Sequence, residues 1–148
     1  MTTTQEQLGM TIAEVSRCWR AKLDERLRPL GLSQARWMVL LLLSKRGDGV
    51  VQKALAEWLG IEGPTLVRIL DRMTEDGWIE RRESTSDRRA KTVHLTKQSS
   101  AVIKQINKIA AQLRGELLAD INPADIEACM RVLQKIKQTA EHIYPSVA

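Results

Sequence analysis

At 148 residues the chain is the size of one compact protomer, and its 43% hydrophobic content is enough for a real core, which excludes intrinsic disorder. Net charge is +5, which suits a nucleic-acid partner, but the excess is spread along the chain and locates no site. Four Trp, one Tyr and no Phe leave Leu, Ile, Val and Ala to supply most of the packing, which favours helices.

No stretch of residues 1–30 forms the apolar run of a secretory signal. The longest apolar run, Trp37 to Leu43, is far short of the roughly 20 residues a membrane span needs. These features point to the cytoplasm and to no membrane partner, and the nucleic-acid partner that the charge suits would bring the chain to the nucleoid when bound. Cys18 and Cys129 are too far apart in sequence for a disulfide framework, and His94 and His142 are isolated, so no metal-ligand pattern exists. Nucleophilic catalysis needs an activated Ser, Cys or Thr with a base and an orienting group. No such set, no phosphate loop and no dinucleotide fingerprint is present, so no enzymatic activity and no cofactor are expected.

The first element runs from about Gln5 to Leu30. Leu8, Ile12, Val15, Trp19, Leu23, Leu27 and Leu30 recur every three or four residues, which is helical periodicity. Gly31 supplies a stop, and Ser33 can cap a second helix reaching Lys45. That helix is apolar nearly all round and should be buried on several sides. Gly47-Asp48-Gly49 reads as a loop. A short helix follows from Val51 to Leu59, with Ala54, Leu55, Ala56 and Leu59 inward. After Gly60, Pro64 opens a further helix carrying Leu66, Ile69, Leu70 and Met73 inward and stopping at Gly77.

The period then drops toward two. Trp78 to Arg82 reads as a strand, Ser84 to Ala90 as a polar loop, and Lys91 to Leu95 as a second strand, which together make a hairpin with a basic tip. Thr96 is placed to cap a long helix with Val102, Ile106, Ile109, Leu113 and Leu117 on one stripe. Asn122-Pro123 starts a last helix with Ile126, Met130, Leu133, Ile136, Ala140 and Ile143. The fold class is therefore mainly α with a small β-hairpin.

Two helices crossing steeply through a short turn need a small residue at their contact and a glycine at the reversal. Ala56 and Gly60 fit. Thr65, Arg68 and Arg72 are then left on an outward face, as in a helix that places its N-terminal residues against base edges in the major groove. Arg can bond guanine O6 and N7, and Thr can touch a thymine methyl or a phosphate. The N–H groups near Gly63, Thr65 and Leu66 are further candidates for holding a phosphate. The hairpin is longer and more basic than a core requires. Arg88 and Arg89 at its tip suit a narrow minor groove, and Arg81, Arg82 and Lys91 flank it, in reach of phosphates.

The stretch Asp87-Arg88-Arg89-Ala90-Lys91-Thr92-Val93-His94-Leu95-Thr96 resembles the wing signature of the MarR family of bacterial regulators. Leu59-Gly60-Ile61-Glu62-Gly63-Pro64-Thr65-Leu66-Val67-Arg68 is similar to the recognition-helix entry of its SlyA branch. Leu8-Gly9, Trp19-Arg20-Ala21 and Leu27-Arg28-Pro29-Leu30 are similar to SlyA as well. Ser99, where most of the wider family has Gly, also suits that branch.

The resemblance spans nearly the whole chain. It implies a winged helix-turn-helix in residues 33–96, with Asp87 supporting the wing, and dimerisation helices in 1–32 and 97–148. It implies a two-fold homodimer on a pseudo-palindromic site in double-stranded DNA. Pro64, Thr65 and Arg68 would lie in the major groove and Arg88 or Arg89 in the minor groove. The terminal amphipathic stripes agree with a dimer, since no other domain is there to cover them.

Proteins of this kind often bind aromatic carboxylates such as salicylate, and Arg17, Trp37 and Leu41 are the residues expected to line such a site. Repression and anti-silencing activation would use the same contacts. A winged helix that binds protein rather than DNA is the alternative, against which Arg68, Arg88 and Arg89 argue.

Overall fold

The computed structural model describes residues 1–47, 49–87 and 89–143. The chain forms two compact units, Met1–Leu113 and a second beginning at Arg114.

The first unit opens with α1 (Thr4–Leu27). Its start is a reciprocal cap: Glu6 N donates to Thr3 Oγ1 at 3.2 Å and Thr3 N donates to Glu6 Oε2 at 2.5 Å. A 3-10 turn, Arg28–Leu30, follows. It closes at Gly31, whose φ of 73° lies in the left-handed region and whose N–H reaches the Arg28 carbonyl. The expected single helix to Leu30 thus tightens over its last three residues, where Pro29 removes a backbone donor. α2 (Gln34–Arg46) starts at Ser33, whose hydroxyl accepts from Arg36 N at 3.4 Å. It buries Trp37, Val39, Leu40 and Leu43, as its nearly uniform apolar sequence requires.

A two-residue strand, β1 (Val50–Val51), then precedes α3 (Gln52–Leu59). This strand corrects the expected loop-to-helix passage. Val50 and Val51 pair with Val93 and Thr92, so the expected hairpin is the larger part of a three-stranded antiparallel sheet. Gly49 makes the approach. Its φ is 79°, its N–H donates to the Val93 carbonyl at 3.1 Å, and a Cβ there would stand 3.0 Å from the His94 ring.

α4 (Gly63–Glu75) follows a tight turn and buries Leu66, Leu70 and Met73. β2 (Ile79–Glu83) and β3 (Lys91–Leu95) pair in a register that sets Ile79 opposite Leu95 and Arg81 opposite Val93. The sheet order is β1-β3-β2. Ile79 and Val93 point into the core, so by strand alternation Arg81 shares their face, and Glu80 and Arg82 lie on the other.

Thr96 does not cap the next helix with its side chain, as expected. Its hydroxyl donates instead to the carbonyls of Gly77 (2.5 Å) and Trp78 (3.2 Å), fastening the end of the sheet to the turn after α4. A 3-10 turn, Lys97–Ser99, intervenes before α5 (Ser100–Leu118). Ser99 is fully buried and donates its hydroxyl to the Thr96 carbonyl at 2.7 Å. Ile106, Ala110 and Leu113 of α5 join the core with Leu23 and Leu27 of α1, the α2 residues, Leu55, Leu66, Leu70 and Met73.

The second unit is built on α6 (Pro123–Ile143). Asn122 caps it through Oδ1, which accepts from Ala124 N at 3.0 Å, and Pro123 takes the first helical position, where a missing N–H costs nothing. No residue of α6 is buried, and Met130, Ile136 and Ile143 on its apolar stripe are exposed.

Candidate nucleic-acid interface

α3 and α4 meet through Gly60. Its φ of 67° lets the chain reverse, and its N–H bonds back to the carbonyls of Ala56 and Glu57. Ile61 N also reaches the Ala56 carbonyl at 3.1 Å. Ala56 is buried at this contact, as its small size permits. α4 then presents Pro64, Arg68 and Arg72 exposed on successive turns, with Thr65 half-buried beside them, opposite the buried Leu66, Leu70 and Met73.

Pro64 has no N–H, and Leu66 N donates to the Glu62 carbonyl at 3.1 Å. Leu66 is therefore not a free donor, contrary to expectation. Glu62 provides no side-chain cap, and a helix start leaves its first N–H groups without intrahelical partners, here those of Gly63 and Thr65 since Pro64 has none.

The charges of α4 are sorted. Asp71 is paired with Arg81, whose Nη2 lies 2.6 Å from Asp71 Oδ1. Asp76, at the helix end, is paired with Arg36 of α2 at 3.2 Å. Two of the helix's acids are thus neutralised from the protein side. Among the described residues, no ion pair holds Arg68 or Arg72.

The wing turns on Asp87. Its Oδ1 accepts from Arg89 N at 2.9 Å and its carbonyl accepts from Ala90 N at 3.1 Å, while Ser84 N donates to the Ala90 carbonyl. An Asx turn of this kind orders the tip and leaves the Arg89 side chain exposed. Arg88 lies outside the described residues. Lys91 is exposed.

The other two flanking arginines do not behave as expected of free phosphate ligands. Arg81 shares the inner face of the sheet and is spent on Asp71. Arg82 is on the outer face with Glu80, Nε to Oε1 at 3.1 Å and Nη2 to Oε2 at 3.4 Å. The hydrogen bond from Arg82, then its charge, holds the Glu80 carboxyl below its ordinary range. Between the wing tip, α3 and the start of α4 runs an open cleft of about 740 Å³, with Ala56, Leu66, Val67 and Ala90 on its walls.

Arg17, Trp37 and Leu41 do not line one cavity. Arg17 borders a surface depression with Arg20, Asp24, Arg28 and Gln34. Trp37, only 2% exposed, floors a different one with Val15, Trp19, Leu23 and Met38, and Arg20 borders both. Leu41 is half-buried against the core and lines neither. The Trp37 indole N–H is already engaged, donating to Asp24 Oδ1 at 3.0 Å. Among the described residues no group of three or more His, Cys, Asp or Glu could hold a metal ion, and no helix is long and apolar enough to cross a membrane.

A family model described as MarR family matches residues 30–90, the segment from the end of the 3-10 turn after α1 through the wing loop. The solved structure of the transcriptional regulator PA3341 is 43% identical, covers 91% of this chain and 98% of its own, and superposes with a TM-score of 0.85. The chain belongs to the MarR family. A mutant of MarR from E. coli, solved in complex with operator DNA, is 28% identical over 87% of this chain and 92% of its own, with a TM-score of 0.71. A MarR transcriptional regulator from Methanosarcina mazei Go1, at 22% identity and a TM-score of 0.78 over 94% of this chain and 99% of its own, shares the fold. The mainly helical MarR architecture with a small sheet accords with the fold class expected from the sequence.

Proposed function

We propose that this MarR-family protein is a cytoplasmic, homodimeric transcription regulator of the SlyA-like branch that binds double-stranded DNA and catalyses no reaction. The observation that carries the reading is the charge arrangement on α4: Asp71 and the end residue Asp76 are paired to the protein's own arginines, Glu75 stands in the last turn away from the helix start, and among the described residues no ion pair holds Arg68 or Arg72 on the outward face. A helix so arranged is prepared for a polyanion. The E. coli MarR that crystallised on operator DNA supports the same reading.

In this mechanism α4 enters the major groove of one half-site. Pro64 and Thr65 sit at its tip, Arg68 reads a base, and Arg72 meets the edge of the groove. The wing carries Arg89, with Arg88 beside it in sequence, into the adjacent minor groove, and Asp87 holds its turn. Segments 1–32 and 97–148 supply the dimer contacts. Leu8, Ile12 and Val15 on α1 and Met130, Ile136 and Ile143 on α6 are exposed apolar residues in one chain and would be covered by a second copy. Two-fold symmetry then sets half-site centres about 34 Å apart.

Bound over a promoter, such a dimer blocks transcription or displaces a silencing protein. A small aromatic carboxylate is the effector class proposed to loosen it. The depression lined by Val15, Trp19, Leu23, Trp37 and Met38 is apolar and Arg20 stands at its rim, the two features such a ligand requires.

The test is selection from a pool of random duplexes at two salt concentrations. Enrichment of a two-fold symmetric site with a steep salt dependence is the expected result. Salt-sensitive binding without enrichment would replace a site-specific regulator by an architectural one. No binding at low salt would point to a protein-binding winged helix. Millimolar salicylate should shift both Trp fluorescence and DNA affinity, and no change in either removes the effector.

A further inference from the structure

We infer that Lys53 of α3, a helix otherwise read as scaffold, is a contact to the DNA phosphate backbone that works together with Arg89 and Lys91 of the wing. The inference rests on the DNA-binding reading above and adds a third protein element to it. Lys53, Arg89 and Lys91 line the same open cleft of about 740 Å³, Lys53 from the first turn of α3 and the other two from the opposite wall. All three are exposed, and among the described residues none is held in an ion pair. The neighbouring strand cations are held: Arg81 by Asp71 and Arg82 by Glu80. The Asp87 carboxylate, which also borders the cleft, is turned to the backbone N–H of Arg89.

The backbone adds to this field. The residue before α3 is Val51, which has no side-chain oxygen, so the first-turn N–H groups of α3 have no side-chain cap. Their partial positive charge lies at the helix end that carries Lys53. Glu57, the remaining acid on the cleft, is a full turn further along α3. Three free cations on two walls, with an uncapped helix start on one of them, match a single strand of sugar-phosphate running between wing and α3. They suit positioning rather than base reading, because a lysine ammonium on backbone oxygens carries no sequence information.

The experiment measures the affinity of the full-length protein for its selected duplex and for random duplex between about 50 and 200 mM salt. It compares the wild type with Lys53→Ala, Lys53→Arg, Arg89→Ala and, as an exposed lysine away from the cleft, Lys45→Ala. Lys53→Ala should flatten the slope of log affinity against log salt by about 1.8, about 0.9 for each protomer's lysine, and weaken both duplexes by the same factor. Lys53→Arg should restore the slope and Lys45→Ala should leave it unchanged. A wild-type slope in Lys53→Ala, with Arg89→Ala flattened, would overturn the inference while leaving the DNA reading intact. Weakening on the selected duplex alone would overturn it too, in favour of a base contact. If the wild type binds neither duplex at low salt, the DNA reading itself has failed.

Discussion

Arg81 on β2 reaches across to Asp71 on α4, Nη2 to Oδ1 at 2.6 Å, tying the wing to the helix it flanks. The arginine side chain is 23% exposed and the carboxylate 51%, so water screens the pair and its worth is modest. The pair is suited to a positional role, holding the angle between the two elements proposed to meet DNA together. Arg81→Ala should cost about 0.5–1 kcal/mol of stability, read from the urea midpoint. It should leave the salt slope of DNA binding unchanged, because this arginine is already occupied. A slope flattened by about 1.8, about 0.9 for each protomer, would instead make Arg81 a phosphate ligand.

The turn after α4 depends on Gly77. Its φ is 79°, and a Cβ there would collide with the Gln98 side chain. Trp78 N and Asp76 N bond back to the carbonyls of Met73 and Arg72, and Thr96, just past the end of the neighbouring strand β3, clamps the Gly77 carbonyl. Gly77→Ala should therefore destabilise by about 1–2 kcal/mol, seen as a lowered Tm. The contact is with the end of the exposed, flexible Gln98 side chain, which can swing aside, so the φ penalty dominates and adding Gln98→Ala should recover little of the loss. Full recovery would mean that crowding, not backbone conformation, makes the glycine necessary.

Helical periodicity made α1, α4, α5 and α6 readable, because amphipathic stripes repeat often enough to be distinguished from strands, while α2, apolar nearly all round, was readable from its length and from the Gly31 and Ser33 signals before it. β1 was not readable: two residues cannot display an alternation, and Val50-Val51 pairs with a strand forty residues later. The quenching of Arg81 was half-visible, since alternation from Ile79 already turns it inward, but its partner lies on another element. The described depressions separate Arg17, Trp37 and Leu41 for a related reason. Trp37 is central to a helix buried on several sides, and its polar atom was spent on Asp24, thirteen residues earlier. Local pattern reports which face a residue is on; it does not report which opposite charge is waiting there.

The indole of Trp37, a residue only 2% exposed, donates its N–H to Asp24 Oδ1 at 3.0 Å. Asp24→Ala would leave that donor unsatisfied and should cost about 1–3 kcal/mol. Asp24→Asn retains a carbonyl acceptor and should cost less. Urea unfolding followed by Trp fluorescence measures both. Equal stability of Asp24→Ala and wild type would show that water replaces the carboxylate, and that the depression beside Trp37 is wetter than its apolar lining suggests.

Arg68 and Arg89 are expected to fail in different ways. Arg68 stands on the outward stripe of α4, one turn from Pro64 and Thr65, where a guanidinium can make two bonds to one guanine. Arg68→Ala should cost about 1–3 kcal/mol on the selected site and much less on random duplex, narrowing the gap between them. Arg89 stands on a wing whose turn is ordered by Asp87 through its own backbone N–H, so the side chain is free to follow the groove. Arg89→Ala should weaken both duplexes alike and flatten the salt slope. Competition titrations of the two variants against both duplexes separate the roles. Equal losses for Arg68→Ala on selected and random DNA would remove it from base reading and leave α4 holding the groove by its backbone contacts alone.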